Sequence, residues 1–494
     1  MLRLPAVFGE HMVLQRGKPI VVFGEADGPV EVEIGGKRAG AACENGRFRA
    51  WLPPMEAGGP YTMTVRRGAE MVTRGDVRIG EVWLCGGQSN MEFRLQDERH
   101  FEAANCKSDV RVRFYEVPQA ATVKEAEHME PGTRWQVLEA GKCAGLSAVA
   151  FYAACELAGR LDVAVGMIIC CIGGTSASCW MSRETLAAFP EGAAFLDDFK
   201  RRIKGKTDAQ FDQECGAYQR RVDAYNAAVA ALKRENPAIP WAQINERAGM
   251  YPWPPPFGRT MLRRPGGPYE TMLSRIAPYT LRGFFYYQGE QDAAVQWAKG
   301  YEALLKRLIS QWRALFEDES LFFAAAQLPR YGADAAVENW AAVRAAQQAV
   351  IDGDEHAALA CLLDCGERDN VHPTDKRVPG GRLAALALAH VYGQDVQADA
   401  PRVIRVGFHA GRVILETAHT GGELAVRGDA LCALHVEGAR LRSVSTGEKG
   451  IALTLEAVQA HVRVRYAQQN WPEVAFFAQN GLPLFPFDLA FSKE

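Results

Sequence analysis

The sequence predicts an α/β protein with a doubly wound parallel sheet and a β-rich domain on either side of it. Short, nearly continuous apolar runs lie in the middle of the chain, as is typical of parallel strands covered on both faces. Stretches of helical periodicity precede several of these runs. Towards both ends of the chain the strand-like runs are short and separated by turns. These observations divide the 494 residues into segments 1–76, 77–396 and 397–494.

The first segment is predicted to be a small antiparallel β domain. Four strand-like runs are separated by turns, and helical periodicity is absent. The runs cover residues 19–24, 30–36, 48–54 and 61–65. The last segment has a similar texture, with runs at 402–408, 412–416, 452–456 and 461–466.

The middle segment is predicted to carry the parallel sheet. Its strands are expected at 77–84, 163–172, 283–287, 321–327 and 357–363, and its helices at 148–161, 301–316, 339–351 and 380–392. Residues 184–270 interrupt this pattern with a charged helical stretch and then a proline-rich stretch, 251–258, that suits neither a helix nor an inner strand. Such a long insertion usually has a function, often as a lid or pocket wall.

Composition and charge exclude several classes of function. The net charge of −3 makes nucleic acid an unexpected partner. No run of 18 apolar residues occurs, so no membrane span is predicted. The first ten residues lack the apolar core of a signal peptide. We therefore expect a cytoplasmic protein, unless a signal peptide has been removed.

The 12 cysteines do not predict a metal site. Cys85, Cys170, Cys171 and Cys361 fall within predicted strands, and small buried thiols are common in reduced proteins. The spacing of Cys361 and Cys365 comes nearest to that of metal ligands, but it lacks a second pair. We predict no metal and no cofactor, and we leave the oligomeric state open.

One stretch places a serine just beyond the first predicted parallel strand. Gly86 and Gly87 allow a sharp turn after the strand, and Ser89 follows it. In open α/β sheets, ligands bind at the carboxyl ends of the strands. This stretch alone fits a nucleophile and a helix N-cap equally well.

The other predicted parallel strands also end in polar or glycine-rich groups. These groups are Gly173-Gly174-Thr175, Gln288-Gly289-Glu290, Gln327-Leu328-Pro329 and Asp369-Asn370-Val371-His372-Pro373. Each has a structural interpretation when taken alone: His372 as a surface histidine, Asp369 as a turn former, Gln288 as a buried amide. Together with Ser89 they make five such groups on one edge of one sheet, and this number indicates a functional site instead.

The polar groups supply the parts of a hydrolytic site. A serine nucleophile needs a base and a group that orients the base, and we assign these roles to Ser89, His372 and Asp369. An oxyanion needs two or three fixed donors. The candidates are the backbone amides of Ser89 and Gly174 and the side-chain amide of Gln288.

These motifs resemble the sialate O-acetylesterase group within the SGNH (GDSL-like) hydrolases. The likeness rests on Gly-Gln-Ser-Asn-Met, Gly-Gly-Thr, Tyr-Gln-Gly-Glu and Asp-x-x-His-Pro, with further similarity at residues 12–16, 58–62 and 79–83. It implies an SGNH-hydrolase-like (flavodoxin-like) fold. It also implies that Ser89 is the nucleophile, that His372 is the base, and that Gly174 and Gln288 complete the oxyanion site.

Two departures from this family occur beside the motifs. Gln291 and Asp292 stand where Ser-Asn is frequent, and Asn370-Val371 stand where Asp-Ile is common. We expect Asp292 to place a charge near the pocket rim. Gln88, Asn90, Glu290 and Trp253 are supporting or substrate-contacting candidates.

Three side-chain roles have competing interpretations. Glu290 is the rival to Asp369 for orienting His372, and we favour Asp369 because a charge beside the oxyanion would oppose catalysis. Trp253 fits a sugar-stacking residue or an anchor that packs the insertion onto the sheet. Arg94, Arg263 and Arg264 are candidates for binding a substrate carboxylate, or are solvated surface residues.

The sequence thus predicts a metal-independent serine esterase that acts on a small acetylated sugar. The resemblance points to O-acetylated sialic acid and an acetyl-enzyme on Ser89. One alternative is an acetylxylan or other carbohydrate acetylesterase. A second is a non-catalytic carbohydrate-binding protein on a hydrolase scaffold, which the intact set of serine, histidine, aspartate and glutamine argues against.

Overall fold

A central, mainly parallel sheet dominates the computed structural model, which describes residues 1–409 and 412–492. Seven strands form its main path: β1 (Glu70–Gly87), β2 (Asp109–Glu116), β3 (Trp135–Leu138), β4 (Ala164–Cys171), β5 (Gly283–Tyr287), β6 (Phe322–Ala326) and β7 (Ala357–Ala360). Their order across the sheet is β3-β2-β4-β1-β5-β6-β7. Every neighbouring pair is parallel except β2 with β3. The sequence-based assignment missed β2 and β3.

The strand order reverses beside β1. The chain passes from β1 to β2, β3 and β4 on one side, and then crosses to β5, β6 and β7 on the other. Gly87 at the end of β1 lies opposite Cys171 of β4 and Tyr287 of β5. The loops that follow these three strands therefore meet at one place, where sheets of this kind hold their ligands.

Helices cover both faces of the sheet, which explains why its strands are apolar throughout. Phe284 and Tyr286 pack against Trp312, with ring centroids 5.3 and 5.7 Å away. Phe285 points to the other face, because side chains alternate along a strand. It stacks on Trp83 at 4.4 Å, and the Trp83 indole donates to Tyr392 just beyond a helix.

Five helices accompany the central sheet: α1 (Ser89–Glu92), α2 (Ala148–Leu161), α3 (Tyr301–Leu315), α4 (Trp340–Asp352) and α5 (Arg377–His390). Ser147 and Asn339 cap α2 and α4, each accepting a backbone N–H from three residues further on. The last four of these helices lie within a few residues of their predicted bounds. Shorter helices occur at Phe101–Asn105, Val123–Met129 and Val295–Ala298.

The insertion is helical and has small apolar clusters of its own. Its helices are Arg183–Ala187, Pro190–Ile203, Asp208–Glu235 and Trp241–Ala248. Phe199, Phe211 and Met261 form one cluster, and a second joins the ends of the last two helices. Within the described residues, no helix combines the length and apolarity needed to cross a membrane.

The amino-terminal β region shares a strand with the central sheet. Residues 70–79 of β1 pair with the strand Gly58–Arg67, whereas residues 80–87 pair with β4. The boundary predicted at residue 76 therefore lies within one continuous strand. The remaining strands of this region are Leu2–Arg3, Val13–Gln15, Ile20–Ala26, Val30–Ile34, Lys37–Ala41, Cys43–Glu44 and Arg47–Leu52.

The carboxyl-terminal region is again rich in strands. They are Arg402–His409, Arg412–Ala418, Ala425–Val426, Leu434–Glu437, Arg440–Gly447, Gly450–Glu456, His461–Tyr466, Phe476–Phe477 and Phe487–Ser492, with a short helix at Ala430–Ala433. The buried Arg344 of α4 joins this region to the α/β core. It donates to the carbonyl groups of Pro329 and Ala467 at 3.4 and 3.3 Å.

Candidate active site

The structure brings Ser89 and His372 together at the crevice beside β1. Ser89 is the first residue of α1, and His372 lies in the loop between β7 and α5. Their Oγ and Nε2 atoms are 2.8 Å apart, which is hydrogen-bonding distance. Burial, together with the charge of Lys376, lowers the pKa of His372 to about 4. The imidazole is thus neutral at pH 7 and can accept a proton from the serine.

Asp369 does not orient His372 in this structure. Its side chain is exposed, and the described residues show no hydrogen bond from its carboxylate to the imidazole. Asn370 takes the inner position in the loop, accepting from the backbone N–H of His372 at 3.0 Å and donating to its carbonyl at 2.7 Å. This turn directs Asp369 outward, which corrects the predicted Asp369–His372 pair.

Glu290 does not contact His372 either. Its Oε1 accepts from the Asn90 side chain at 2.5 Å, and burial raises its pKa. The Asn90 amide also donates to the Val371 carbonyl at 3.1 Å and accepts from Lys376. Glu290 therefore holds the Ser89 turn and the His372 loop together through Asn90. The sequence did not single out Lys376 as a residue of the site.

Gln288 lies close to the site but is fully buried in an internal network. Its amide nitrogen donates to Asp292 Oδ2 at 2.6 Å and to the Thr175 carbonyl at 3.1 Å, and it lies 3.2 Å from Gln88 Oε1. Tyr286 and Tyr301 donate to its oxygen. Because an amide has two N–H bonds, none is left for an oxyanion. In this geometry Gln288 stabilises the loops next to the site through its hydrogen bonds and does not itself face the substrate.

Asp292 lies beside Gln288 and not at the pocket rim. Its side chain is fully buried, and its Oδ2 also accepts the backbone N–H of Ala177 at 2.9 Å. Burial raises the pKa of Asp292 to about 7. The expected rim charge is thus an internal anchor that joins the loops after β4 and β5.

Two backbone amides remain as candidate oxyanion donors. No acceptor in the described part of the chain takes the N–H of Ser89 or of Gly174. The neighbouring Gly173 N–H donates to Glu92 Oε2 at 2.6 Å, which fixes the loop after β4 against α1. The Cα atom of Ser89 lies 3.7 Å from the position that a Cβ on Gly173 would occupy. A side chain at residue 173 would therefore contact Ser89, which shows how closely the loop approaches the Ser89 turn.

A cleft of about 210 Å³ opens next to this loop. The insertion forms one wall, and the residues after β4 and β5 form the other. Its lining mixes aromatic, proline, polar and charged residues, among them Gly174, Phe195, Asp198, Phe199, Arg202, Trp253, Phe257, Arg263, Gln291 and Trp297. The insertion therefore borders the loop that carries Gly174, while Ser89 and His372 are not among the residues that line the cleft.

Trp253 packs directly on Gly174. A Cβ at residue 174 would lie 2.1 Å from the indole, and Gly174 also has a φ of +68°. Trp253 is still 45% exposed, so part of its indole faces the cleft. Trp253 thus packs the insertion onto the loop after β4, and stacking of its exposed face on a sugar stays a prediction.

The three candidate arginines differ in how many of their N–H groups are occupied. Arg94 donates to Gly145 and Glu116, and the largely buried Arg264 donates to Ala121, Met261 and Glu270. Arg263 uses Nε for the Gly173 carbonyl and lies over the Trp253 ring at 5.8 Å. Among the described residues its two terminal nitrogens have no hydrogen-bond partner, and it lines the cleft.

One group of side chains has the composition of a metal site. Glu98, His100 and Asp375 place one potential ligand atom each within 4.8 Å of one another. These atoms already have partners, since Glu98 Oε2 accepts from Tyr152 at 2.8 Å and from the His100 backbone. Glu98 Oε1 also accepts the backbone N–H of Lys376 at 3.3 Å, so the group adjoins the loop of His372, but nothing in the proposed chemistry uses it.

Comparison with known proteins agrees with this architecture. The profile of a family described as carbohydrate esterase, sialic acid-specific acetylesterase, matches residues 79–244 and 256–388. The rat sialate O-acetylesterase is 25% identical over 433 residues, covering 79% of this chain and 74% of the rat protein. The mouse sialate O-acetylesterase is also 25% identical, over 69% of this chain, and the match spans 63% of the mouse protein.

A solved structure described as a carbohydrate acetylesterase from Xanthomonas citri has a similar fold. The TM-score is 0.73, the identity is 24%, and the likeness covers 99% of each chain. The family match, on a chain with a serine and a histidine at the crevice of a parallel sheet, identifies a carbohydrate esterase. More particularly, the chain belongs to the sialic acid-specific acetylesterase family, a family of carboxylic ester hydrolases.

Proposed function

We propose that this chain is a serine esterase that removes O-acetyl groups from sugars through an acetyl-enzyme on Ser89, with O-acetylated sialic acid as its first substrate. The observation that carries the proposal is the 2.8 Å contact between Ser89 Oγ and His372 Nε2. The strand order, with its reversal beside β1, supports an SGNH-like, doubly wound arrangement as part of the same proposal.

The reaction follows from the positions of these groups. Ser89 Oγ attacks the acetyl carbonyl carbon while its proton passes to His372 Nε2. The carbonyl oxygen becomes an oxyanion, which the N–H groups of Ser89 and Gly174 bind. When the intermediate collapses, the carbon–oxygen bond to the sugar breaks, and the sugar oxygen takes the proton from His372.

Water then releases the acetyl group. His372 takes a proton from the water, whose oxygen attacks the acetyl carbonyl and forms a second oxyanion in the same place. Collapse of this intermediate breaks the bond to Ser89 Oγ, which recovers the proton from His372. Acetate leaves, and the enzyme returns to its starting state without a metal or cofactor.

The cleft supports a carboxylate-bearing sugar as the substrate. Trp253 offers a ring face for stacking on the sugar. The terminal nitrogens of Arg263 suit a bidentate contact with a carboxylate, which a neutral sugar lacks. Acetylxylan has no such group on its backbone sugars, and this difference ranks it second.

A labelling experiment tests the catalytic part of the proposal. A fluorophosphonate probe should modify the wild-type protein at Ser89. The variant Ser89→Ala should not be labelled, and its turnover should be about 10⁶-fold lower. The substitution is small, so the unfolding temperature should be unchanged. An unlabelled wild-type protein, or turnover of Ser89→Ala within tenfold of wild type, would exclude the mechanism and favour a carbohydrate-binding protein.

Acetate release identifies the substrate class. We expect a higher kcat/KM for O-acetylated sialic acid than for acetylated xylan. Arg263→Met should lower kcat/KM about 10- to 100-fold for the sialic acid, the value of a charged hydrogen bond. Its effect on a neutral aryl acetate serves as the control, since Arg263 also holds Gly173. Equal losses on the charged and the neutral ester would refute carboxylate recognition.

A further inference from the structure

Lys376 is a buried lysine next to the catalytic pair that has no place in the hydrolytic steps above. Its side chain is fully buried at the start of α5, four residues after His372. Its ammonium nitrogen lies 4.7 Å from the centre of the Phe93 ring and 5.7 Å from that of Tyr287. Such burial is costly for an ammonium group unless nearby groups compensate.

Asn90 connects this ammonium to a buried carboxylate. Lys376 Nζ donates to Asn90 Oδ1, and Asn90 Nδ2 donates to Glu290 Oε1 at 2.5 Å. An ammonium group can only donate and a carboxylate can only accept. The charged pair and the Val371 carbonyl favour this orientation of the amide, because the flipped amide would place its NH₂ group against the ammonium and its oxygen against the carboxylate and the carbonyl.

The fixed amide joins the two catalytic residues through their neighbours. Asn90 follows Ser89 directly, and its Nδ2 also donates to the carbonyl of Val371, which directly precedes His372. One side chain thus ties the nucleophile turn to the histidine loop, one residue away from each partner of the 2.8 Å contact. Within residues 1–409 and 412–492 no carboxylate forms a hydrogen bond with the imidazole, so this link carries the alignment.

We propose that Lys376 is a positioning residue, which together with Glu290 holds Asn90 in the one orientation that keeps Ser89 and His372 in register. This inference rests on the proposed serine mechanism. The buried charges of Lys376 and Glu290 thus serve to align Ser89, in addition to any contribution they make to the stability of the fold. A misplacement of about 1 Å at a reacting group costs roughly 100-fold in rate.

Two variants test the role of Lys376. Lys376→Met removes the charge at similar length, but it leaves Glu290 buried without its cation. The double variant Lys376→Met with Glu290→Gln removes both charges and keeps the side-chain shapes, so it guards against a failure to fold. Lys18→Met is the control, because Lys18 pairs with Asp318 at 2.7 Å near the opposite edge of the sheet.

The measurements are kcat and KM on a neutral aryl acetate and the rate of fluorophosphonate labelling at Ser89. We expect kcat and the labelling rate to fall together, about 10- to 100-fold, with KM within threefold of wild type. Asn90→Ala should give a similar loss, and adding Lys376→Met to it should cause little more, since both act through one link. Lys18→Met should change only the unfolding midpoint.

The outcomes separate this inference from the proposed function. If the wild-type protein is not labelled, the serine mechanism itself fails. If the wild type is labelled and the folded double variant reacts at the wild-type rate, the serine mechanism stands and the role of Lys376 is refuted. Additive losses in Asn90→Ala and Lys376→Met would likewise refute a shared link.

Discussion

His372 shows how far a single residue could be predicted from the sequence. The motif Asp-x-x-His-Pro identified the histidine, and the structure places its Nε2 on Ser89. The surroundings of the imidazole could not be predicted, because they depend on Lys376 and on the turn that Asn370 makes. A spacing of three residues permits an Asp369–His372 contact but does not enforce it, and here the inner position belongs to Asn370.

The lowered pKa of His372 predicts activity at mildly acidic pH. An imidazole acts as a base only when it is neutral, and lowering its pKa from 6.5 to about 4 keeps it neutral as the pH falls. At pH 5 about 90% of the imidazole would be neutral, against about 3% with an ordinary pKa. A pH profile of kcat/KM should therefore be nearly flat from pH 7 to 5. A fall of kcat/KM centred near pH 6.5 would show that the pKa of His372 is not lowered.

Asp369 offers a direct test of the histidine loop. Its carboxylate is exposed and makes no hydrogen bond to the imidazole in the described chain, so Asp369→Asn should reduce kcat by less than about tenfold. Glu367→Gln is a useful comparison, since Glu367 accepts from Asn370 and Thr374 and holds the loop. A loss of several orders of magnitude in Asp369→Asn would show that the carboxylate turns inward during catalysis.

At the scale of elements, the sequence predicted most strands of the sheet and the helices that cover it, but neither β2 nor β3. Predicted and observed helices agree at 148–161, and the strand Gly283–Tyr287 has its predicted bounds. Both are continuous apolar segments that the core covers. β2 alternates valine with arginine and is half-buried, so it lacked the apolar run by which the parallel strands were recognised. Arg113 within it is nevertheless buried and bonded to the Asp76 carbonyl.

The loop after β4 predicts an effect of Gly174→Ala. The added methyl group would overlap the Trp253 indole, and alanine disfavours the φ of +68°. We expect a shift of the Gly174 amide and of Trp253, and a fall in kcat of roughly 100-fold. Gly141→Ala is the matched control: its φ is +78°, but nothing lies within 4 Å of the added Cβ. Equal losses of activity in both variants would contradict an effect specific to the cleft.

For the whole molecule, β1 couples the amino-terminal β region to the catalytic sheet. The pattern of predicted elements changes near residue 76, which suggested a domain boundary there. The backbone nevertheless continues through residue 76 as one strand. A change of pairing partner leaves no break in a strand, so composition alone could not reveal this continuity. Unfolding of either part should therefore disturb the strand that delivers Ser89.

A buried ion cluster on this shared strand predicts the pH dependence of stability. Glu81 is fully buried, and its carboxylate accepts from Arg16 at 2.5 Å and from Arg282 and Gln15, each at 2.9 Å. Burial alone would raise the pKa of Glu81, but the hydrogen bonds and charge of Arg282 and Arg16 outweigh it, and the pKa is lowered. A lowered pKa adds stability above the unfolded value, near 4.3, and this contribution is lost as the pH falls further.

Glu81→Gln should consequently lower the free energy of unfolding at pH 7 by about 3–5 kcal/mol, because two largely buried arginines lose their partner. The difference between variant and wild type should shrink as the pH falls below about 4.3, because the Glu81 carboxylate gains a proton first in the unfolded chain and only at lower pH in the native protein. Glu317→Gln, which breaks an exposed pair with Arg49, should cost less than about 1 kcal/mol. Urea unfolding at pH 7 and pH 3.5 measures both, with aryl acetate turnover as the check that the folded site is intact. A Glu81→Gln protein as stable as the wild type would mean that the cluster contributes nothing to joining the two regions.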